Sequence, residues 1–295
     1  MTAPRQVLPA ATYLVTRRCA QRQFLLKPST VTNDVFLYLL AVAAQRFGIQ
    51  VHAFCVLSNH FHLVVTDTQA RLPAFHQFLD ALVARALNAS LGRWEAFWAP
   101  NSYSAVRLLS PSDILDKSAY VLANPVAAGL VRTGRLWPGL WSAPERIGAE
   151  PFDVRRPTHF FDPKGCLPET VSLQLIPPPG FASGDEFREK LAVEVAELEA
   201  RASRNATGGF LGVARIVAQK TTGRPGPGEP RRTLNPRVAA RDKWKRIEAL
   251  GRLAEFLRAY RHAWAARREG KRNVIFPCGT YALRVVHGVP CAAFV

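Results

Sequence analysis

The sequence predicts an α+β fold: an antiparallel sheet with helices on one face, followed by a mostly helical, basic C-terminal extension. Three observations predict it. β-rich stretches and helical periods follow one another as strand, helix, strand, strand, helix through Leu91. The second and third strands are joined by only Ser58-Asn59, a link that suits antiparallel neighbours or one bent strand. The charge is also lopsided, with 19 Lys and Arg against 5 Asp and Glu from Arg201 to Arg272, a difference of +14 out of a net +17 for the chain.

The elements follow in order. Thr12 to Thr16 has strand composition, and Arg17-Arg18 directly after it could meet phosphate or simply be solvated. Thr32 to Phe47 carries apolar residues at 35, 36, 39, 40, 43 and 47, with Thr32, Asn33 and Asp34 as cap candidates and Gly48 as the stop. Val51 to Leu57 and the strand from His60 through Leu63-Val64-Val65 come next. Pro73 to Leu91 is a second helix with Phe75, Phe78, Leu79, Leu82, Ala86 and Leu87 along one side, ended by Gly92. This order supports a ferredoxin-like domain. Trp94, Phe97, Trp98 and Tyr103 lie in a less regular stretch, as a lid on the core or as a base-stacking platform. Ser110-Pro111-Ser112-Asp113 starts a third helix, expected to end near Asn124 because Pro125 disfavours helical geometry before it.

Two places carry candidate chemistry. In Ser58-Asn59-His60-Phe61-His62 the strand period puts both imidazoles on one face, close enough to hold one divalent cation. The alternative is two histidines that fell together on a half-buried strand. On the third helix Ile114, Ser118, Val121 and Leu122 form the core side, while Tyr120 projects roughly opposite, beside Asp113, Asp116, Lys117 and Asn124. Tyr120 and Asn124 are i, i+4 neighbours. Tyr120 is therefore either solvent-exposed without a role or a placed hydroxyl.

Composition bounds the function. An excess of 39 Lys and Arg over 22 Asp and Glu favours an extended polyanion over an acidic small molecule. Five cysteines without C-x-x-C pairing read as reduced thiols of a cytosolic protein. There is no 18-residue apolar run and no signal-peptide core at the N-terminus, so no membrane partner is expected. The chain divides into a first domain over 1–145, an irregular segment and linker over 146–180 ending in Leu175 to Gly180, and a basic extension over 181–295. In that extension Asp185 to Arg204 is a helix, Thr221 to Pro236 is mobile, and Arg237 to Arg268 is a helix with Leu250, Leu253, Ala254 and Leu257 on one side. The tail from Asn273 to Arg284 reads as two short strands around a turn. The basic stretch is a nucleic-acid arm or a solvated helical face.

The strand of Tyr13, the run Ser58 to Val65, and Tyr120-Val121-Leu122-Ala123-Asn124-Pro125-Val126-Ala127-Ala128-Gly129-Leu130-Val131 together resemble the REP-associated tyrosine transposases, of the single-tyrosine HUH superfamily. The match spans roughly residues 10–145. Leu57-Ser58 stands where the family often has Met-Pro, and Ala127 where Arg is frequent.

The resemblance implies an HUH endonuclease domain that cuts and transfers single-stranded or hairpin DNA through a 5′-phosphotyrosine intermediate. It implies Tyr120 as nucleophile, and His60, His62 and Asn124 as ligands of one Mg²⁺ or Mn²⁺. A free phenol, with a pKa near 10, is ionised to only about one part in a thousand at pH 7, so the tyrosine needs activation. Arg17, Arg18, Lys117, Arg231, Arg232, Arg237, Lys243, Lys245 and Arg246 are the candidate DNA contacts. The relatives act as dimers or monomers, in the bacterial cytoplasm at the nucleoid. The alternatives are a domesticated hairpin DNA or RNA binder without catalysis, and a metal-dependent hydrolase using water.

Overall fold

The structure is a computed structural model and describes residues 4–100, 103–226 and 236–294. β1 (Ala11–Arg18), β2 (Ile49–Leu57), β3 (His60–Asp67) and β4 (Ser104–Leu108) form one sheet in the order β2-β3-β1-β4, each strand antiparallel to its neighbours. β5 (Phe152–Arg155) and β6 (Thr170–Leu173) make a separate antiparallel pair, and β7 (Val238–Ala239) adds to β4 in parallel. With α1 (Thr30–Phe47) between β1 and β2, and α2 (Leu72–Ser90) between β3 and β4, the sheet has the ferredoxin-like order expected.

The period of two in β3 sorts the layers. Phe61 meets Phe36 of α1 edge-on at 5.1 Å and stacks towards His76 of α2, so α1 and α2 lie on that face. α3 (Pro111–Ala127) packs over β2 and β3, on the face that carries His60 and His62. α4 (Gly184–Asn205) runs along α3 and buries Phe187, Leu191 and Val195 at helical spacing. α5 (Val213–Ala218) contributes Ile216 to the same core, which therefore extends continuously from β1 to α5. α6 (Lys243–Arg268) and α7 (Ala282–His287) close the chain.

Local signals set the helix ends. Ser29, not Thr32, Asn33 or Asp34, caps α1 by accepting the Thr32 N–H at 3.1 Å, and Gly48 ends it at φ +63° as its sequence position implies. Asp67 at the end of β3 caps α2 from a distance: its carboxylate accepts N–H groups of Gln69, Arg71 and Leu72 at 3.2, 2.8 and 2.7 Å. Ser110 caps α3 with Pro111 in the first turn.

Several expectations are corrected. α3 does not stop at Asn124 but runs through Pro125 to Ala127. The proline falls in the last turn, where it removes one hydrogen bond, and its buried neighbours Val121, Leu122 and Val126 hold the helical path. Asp113 is not on an outer face: it is 3% exposed because the chain before α6 lies over it, Arg241 donating its backbone N–H to the carboxylate at 2.7 Å.

The aromatic stretch yields β4 and a lid. Phe97 is buried, Trp98 packs on Phe61 and donates to the Asp80 carbonyl at 2.8 Å, and Tyr103 stacks on His76 at 3.8 Å, whereas Trp94 is 95% exposed. The stretch around residues 140–142 covers the free edge of β2: the Val56 N–H donates to Leu140 and the Ser142 N–H to Phe54. Leu175, expected in a linker, is buried and bridges Val51 and Ile147.

In α6 the packed side holds Leu253, Phe256, Leu257 and Ala263, while Leu250 and Ala254 face solvent, since the helix has neighbours along only part of one face. The tail forms α7 instead of two strands; its Phe276 pairs with Cys291 and makes a small core with Ala263 and Val289. Of the stretch expected to be mobile, residues 227–235 lie outside the described residues, and Gly223 is fixed by the Phe24 N–H at 2.9 Å. Among the described residues no helix is long and apolar enough to cross a membrane.

Candidate functional site

His60 and His62 share one face of β3, their ring centroids 4.8 Å apart. The hairpin to β2 and the antiparallel pairing with β1 place Arg18 beside His60 and Thr16 beside His62. His62 is 5% exposed and His60 half-buried. Burial pushes both imidazoles below their usual range, His62 to about 3, and Arg18 adds to the shift in each. For His60 the neighbouring His62 and Arg22 act in the same direction. Both rings are therefore neutral, the form that binds metals.

The hydrogen bonds fix the tautomers. His60 Nδ1 lies 2.6 Å from Asn59 Oδ1, an oxygen that only accepts, so Nδ1 carries the proton and Nε2 keeps its lone pair. His62 Nδ1 lies 2.7 Å from the Thr16 hydroxyl, and its Nε2 accepts from the Asn124 amide at 3.4 Å, so it too holds its proton on Nδ1. Both lone pairs are thus on Nε2, that of His62 engaged by the Asn124 amide N–H. Each histidine is oriented through its other nitrogen, as metal-ligating histidines are.

α3 brings the remaining candidates over this face within the same chain. The Tyr120 ring is 5.6 Å from the His62 ring, edge-on. Of the six tyrosines in the chain, Tyr120 is the most exposed, at 43%. Tyr103, by contrast, is enclosed by His76 and Arg5, and burial raises its hydroxyl to about 12. Asn124 is 9% exposed, on the histidine side of α3 and not in the open. Lys117 pairs with Asp116 at 2.8 Å, its ammonium 5.9 Å from the Tyr120 ring centre.

The donor set fits a divalent cation. Two neutral imidazole nitrogens and one amide group converge, and a half-turn of the Asn124 amide exchanges its nitrogen for its oxygen beside His62 Nε2. Among the described residues no three His, Cys, Asp or Glu side chains cluster to hold a metal, so an Asn is essential to this candidate centre.

The basic candidates separate. Arg18 is exposed beside His60. Arg17 points to the other face, as alternation along β1 requires, where Asp80 of α2 holds it at 3.5 Å. Arg237 is half-buried with Arg5, Arg107 and Tyr103 around a small cavity, and burial lowers its pKa. Lys243, Lys245 and Arg246 are exposed in the first turn of α6, around Trp244, which is 74% exposed; none bonds to the histidines. Arg231 and Arg232 lie outside the described residues. Sequence reasoning missed Thr16, whose role needs the β1–β3 register, and the orienting part of Asn59, which its position next to His60 could have signalled.

No protein-family model matches the chain, and no curated protein matches it. Among solved structures it is similar to a REP-associated tyrosine transposase bound to a REP hairpin, at 18% identity over 47% of this chain and 81% of that chain, with a TM-score of 0.40. It is also similar to a candidate transposase from Deinococcus radiodurans R1, at 20% identity over 41% of this chain and 95% of that chain, with a TM-score of 0.30.

Proposed function

We propose that the chain cuts and rejoins single-stranded or hairpin DNA by transesterification, with Tyr120 as nucleophile and His60, His62 and Asn124 holding one Mg²⁺ or Mn²⁺. One observation carries this reading: the neutral histidine pair, each ring with its lone pair on Nε2, meets the Tyr120 and Asn124 side of α3 in one chain.

A bound divalent cation supplies Lewis-acid polarisation of a non-bridging phosphate oxygen. The side chains do the rest. Thr16 and Asn59 keep the imidazoles neutral-side out, with their protons on Nδ1. Lys117, held by Asp116 at 2.8 Å, lies over the Tyr120 ring and is within reach of a phosphate brought to it. Tyr120 Oη forms a bond to phosphorus, the P–O3′ bond breaks, and the phenol proton ends on the departing 3′ oxygen. The strand stays bonded to the enzyme through its 5′ phosphate, and attack by a second 3′ hydroxyl reverses the step onto a new end. Arg18 beside the site and the exposed cations of α6 supply phosphate contacts.

The hairpin carried by one of the similar structures indicates the kind of DNA to try first. Incubation with hairpin single-stranded DNA and Mn²⁺ yields a denaturation-resistant protein–DNA adduct that is lost in Tyr120→Phe. No adduct with any hairpin favours a non-catalytic binder, and an adduct that survives Tyr120→Phe means another nucleophile.

A further inference from the structure

An open groove of about 530 Å³ has Tyr120 in its lining. One wall is the second half of α3, with Ala123 and Ala127, continued by Gly129. The other is the end of α4 with Arg201 and Asn205, followed by Thr207. The chain after α4 is tied to the end of α3 by backbone pairing, Leu211 donating to Gly129 and Gly212 to Leu130, both at 2.9 Å. Clefts of about 300–1,000 Å³ are the size that takes a small ligand, so the groove holds one nucleotide with room to spare.

Its lining combines an apolar surface with a few polar groups, as a nucleotide needs. No carboxylate lines it, and Arg201 is exposed with no ion-pair partner among the described residues. Asn205 offers an amide with both donor and acceptor, and Thr207 a hydroxyl. The opposing wall is built from Ala123, Val126, Ala127, Ala128 and Gly129, an apolar surface for a sugar or base. α4 lies outside residues 10–145, so this wall is not part of the segment that carries the family resemblance.

We infer that this groove seats the nucleotide immediately 3′ of the scissile phosphate, with Arg201 on its phosphate and Asn205 on its base. The inference rests on the transesterification reading and deepens it. In an in-line displacement at phosphorus the departing 3′ oxygen lies opposite the tyrosine oxygen. The 3′-side nucleotide stays bonded through O5′ beside the tyrosine, and the groove that Tyr120 lines is where that nucleotide can remain.

The test uses the full chain and hairpin DNA with a thymidine tail, 4-thiothymidine being placed at one tail position at a time. Photocrosslinks are mapped by mass spectrometry in the wild type and in Tyr120→Phe, and the cut is mapped from the wild-type adduct. The expected result is a crosslink from the nucleotide just 3′ of the cut to the peptide containing Arg201 to Thr207, in both proteins. Loss of charge-assisted hydrogen bonds in the surface double variant Arg201→Ser, Asn205→Leu lowers it about tenfold or more. Adduct formation without crosslinks to this peptide, or crosslinks only from the 5′ side, overturns the groove assignment and leaves the chemistry standing. Crosslinks to this peptide that fall in the double variant, with no adduct in the wild type, keep the groove as a DNA site and sink the chemistry. Neither crosslink nor adduct overturns both.

Discussion

Replacing Thr16 by Val is nearly isosteric but removes the acceptor, 2.7 Å away, that fixes His62 with its proton on Nδ1. His62 is 5% exposed, so its Nδ1–H is left in a place where water reaches it poorly, at a loss of about 1–3 kcal/mol. The ring can recover part of that by taking the other tautomer, with the proton on Nε2. That tautomer has no lone pair on Nε2 to offer a metal on this face. Removing such an orienting partner lowers metal affinity by about 10–100-fold, equivalent to about 1.4–2.8 kcal/mol, which matches the hydrogen-bond figure. Mn²⁺ titration of the purified protein, followed by the electron paramagnetic resonance of the free ion, measures the effect. Thr16→Ser keeps the hydroxyl and binds nearly as the wild type does. A Val variant with wild-type affinity refutes the assignment of Thr16, and a wild type that takes up no Mn²⁺ refutes the metal centre.

Other consequences follow from buried polar groups. His52 is fully buried, bonded to the Ile176 carbonyl and the Thr66 hydroxyl, and burial lowers its pKa from 6.5 to about 4. As pH falls the unfolded chain takes up this proton first, so the stabilisation is complete above pH 6.5 and is lost on the way down to about 4, by roughly 3 kcal/mol. Urea midpoints across that window show the loss, which is shallower in His52→Gln; equal slopes contradict the assignment. Asp67→Ala frees three N–H groups at the start of α2 and destabilises by about 2 kcal/mol in urea unfolding. An unchanged midpoint means that the cap contributes nothing.

Much of the site was legible because it depends on local periods. Alternation along one strand put His60 and His62 on a common face, and the Ser110-Pro111 start fixed the phase of α3, so that its core side fell at Ile114, Ser118, Val121 and Leu122. What was not legible depends on register and on partners distant in sequence. Thr16 acquires its role only once β1 pairs with β3 so that it faces His62. Asn124 lies on the polar side of an isolated helix, yet it is buried because α3 is laid over β3. Asp113 is covered by a segment 128 residues away. β4 is five residues long and is held by β1, so its own composition carries too little signal to separate it from the aromatic lid before it. The α4 wall of the groove, likewise, shows in the sequence only as a helix of good propensity.

The central claim is that Tyr120, and no other tyrosine, attacks the phosphate. Tryptic digestion of the protein–hairpin adduct, followed by tandem mass spectrometry, locates the covalent link. The link is expected as a 5′-phosphonucleotide on the Tyr120 hydroxyl. A link on the enclosed Tyr103, or on any residue outside α3, contradicts it.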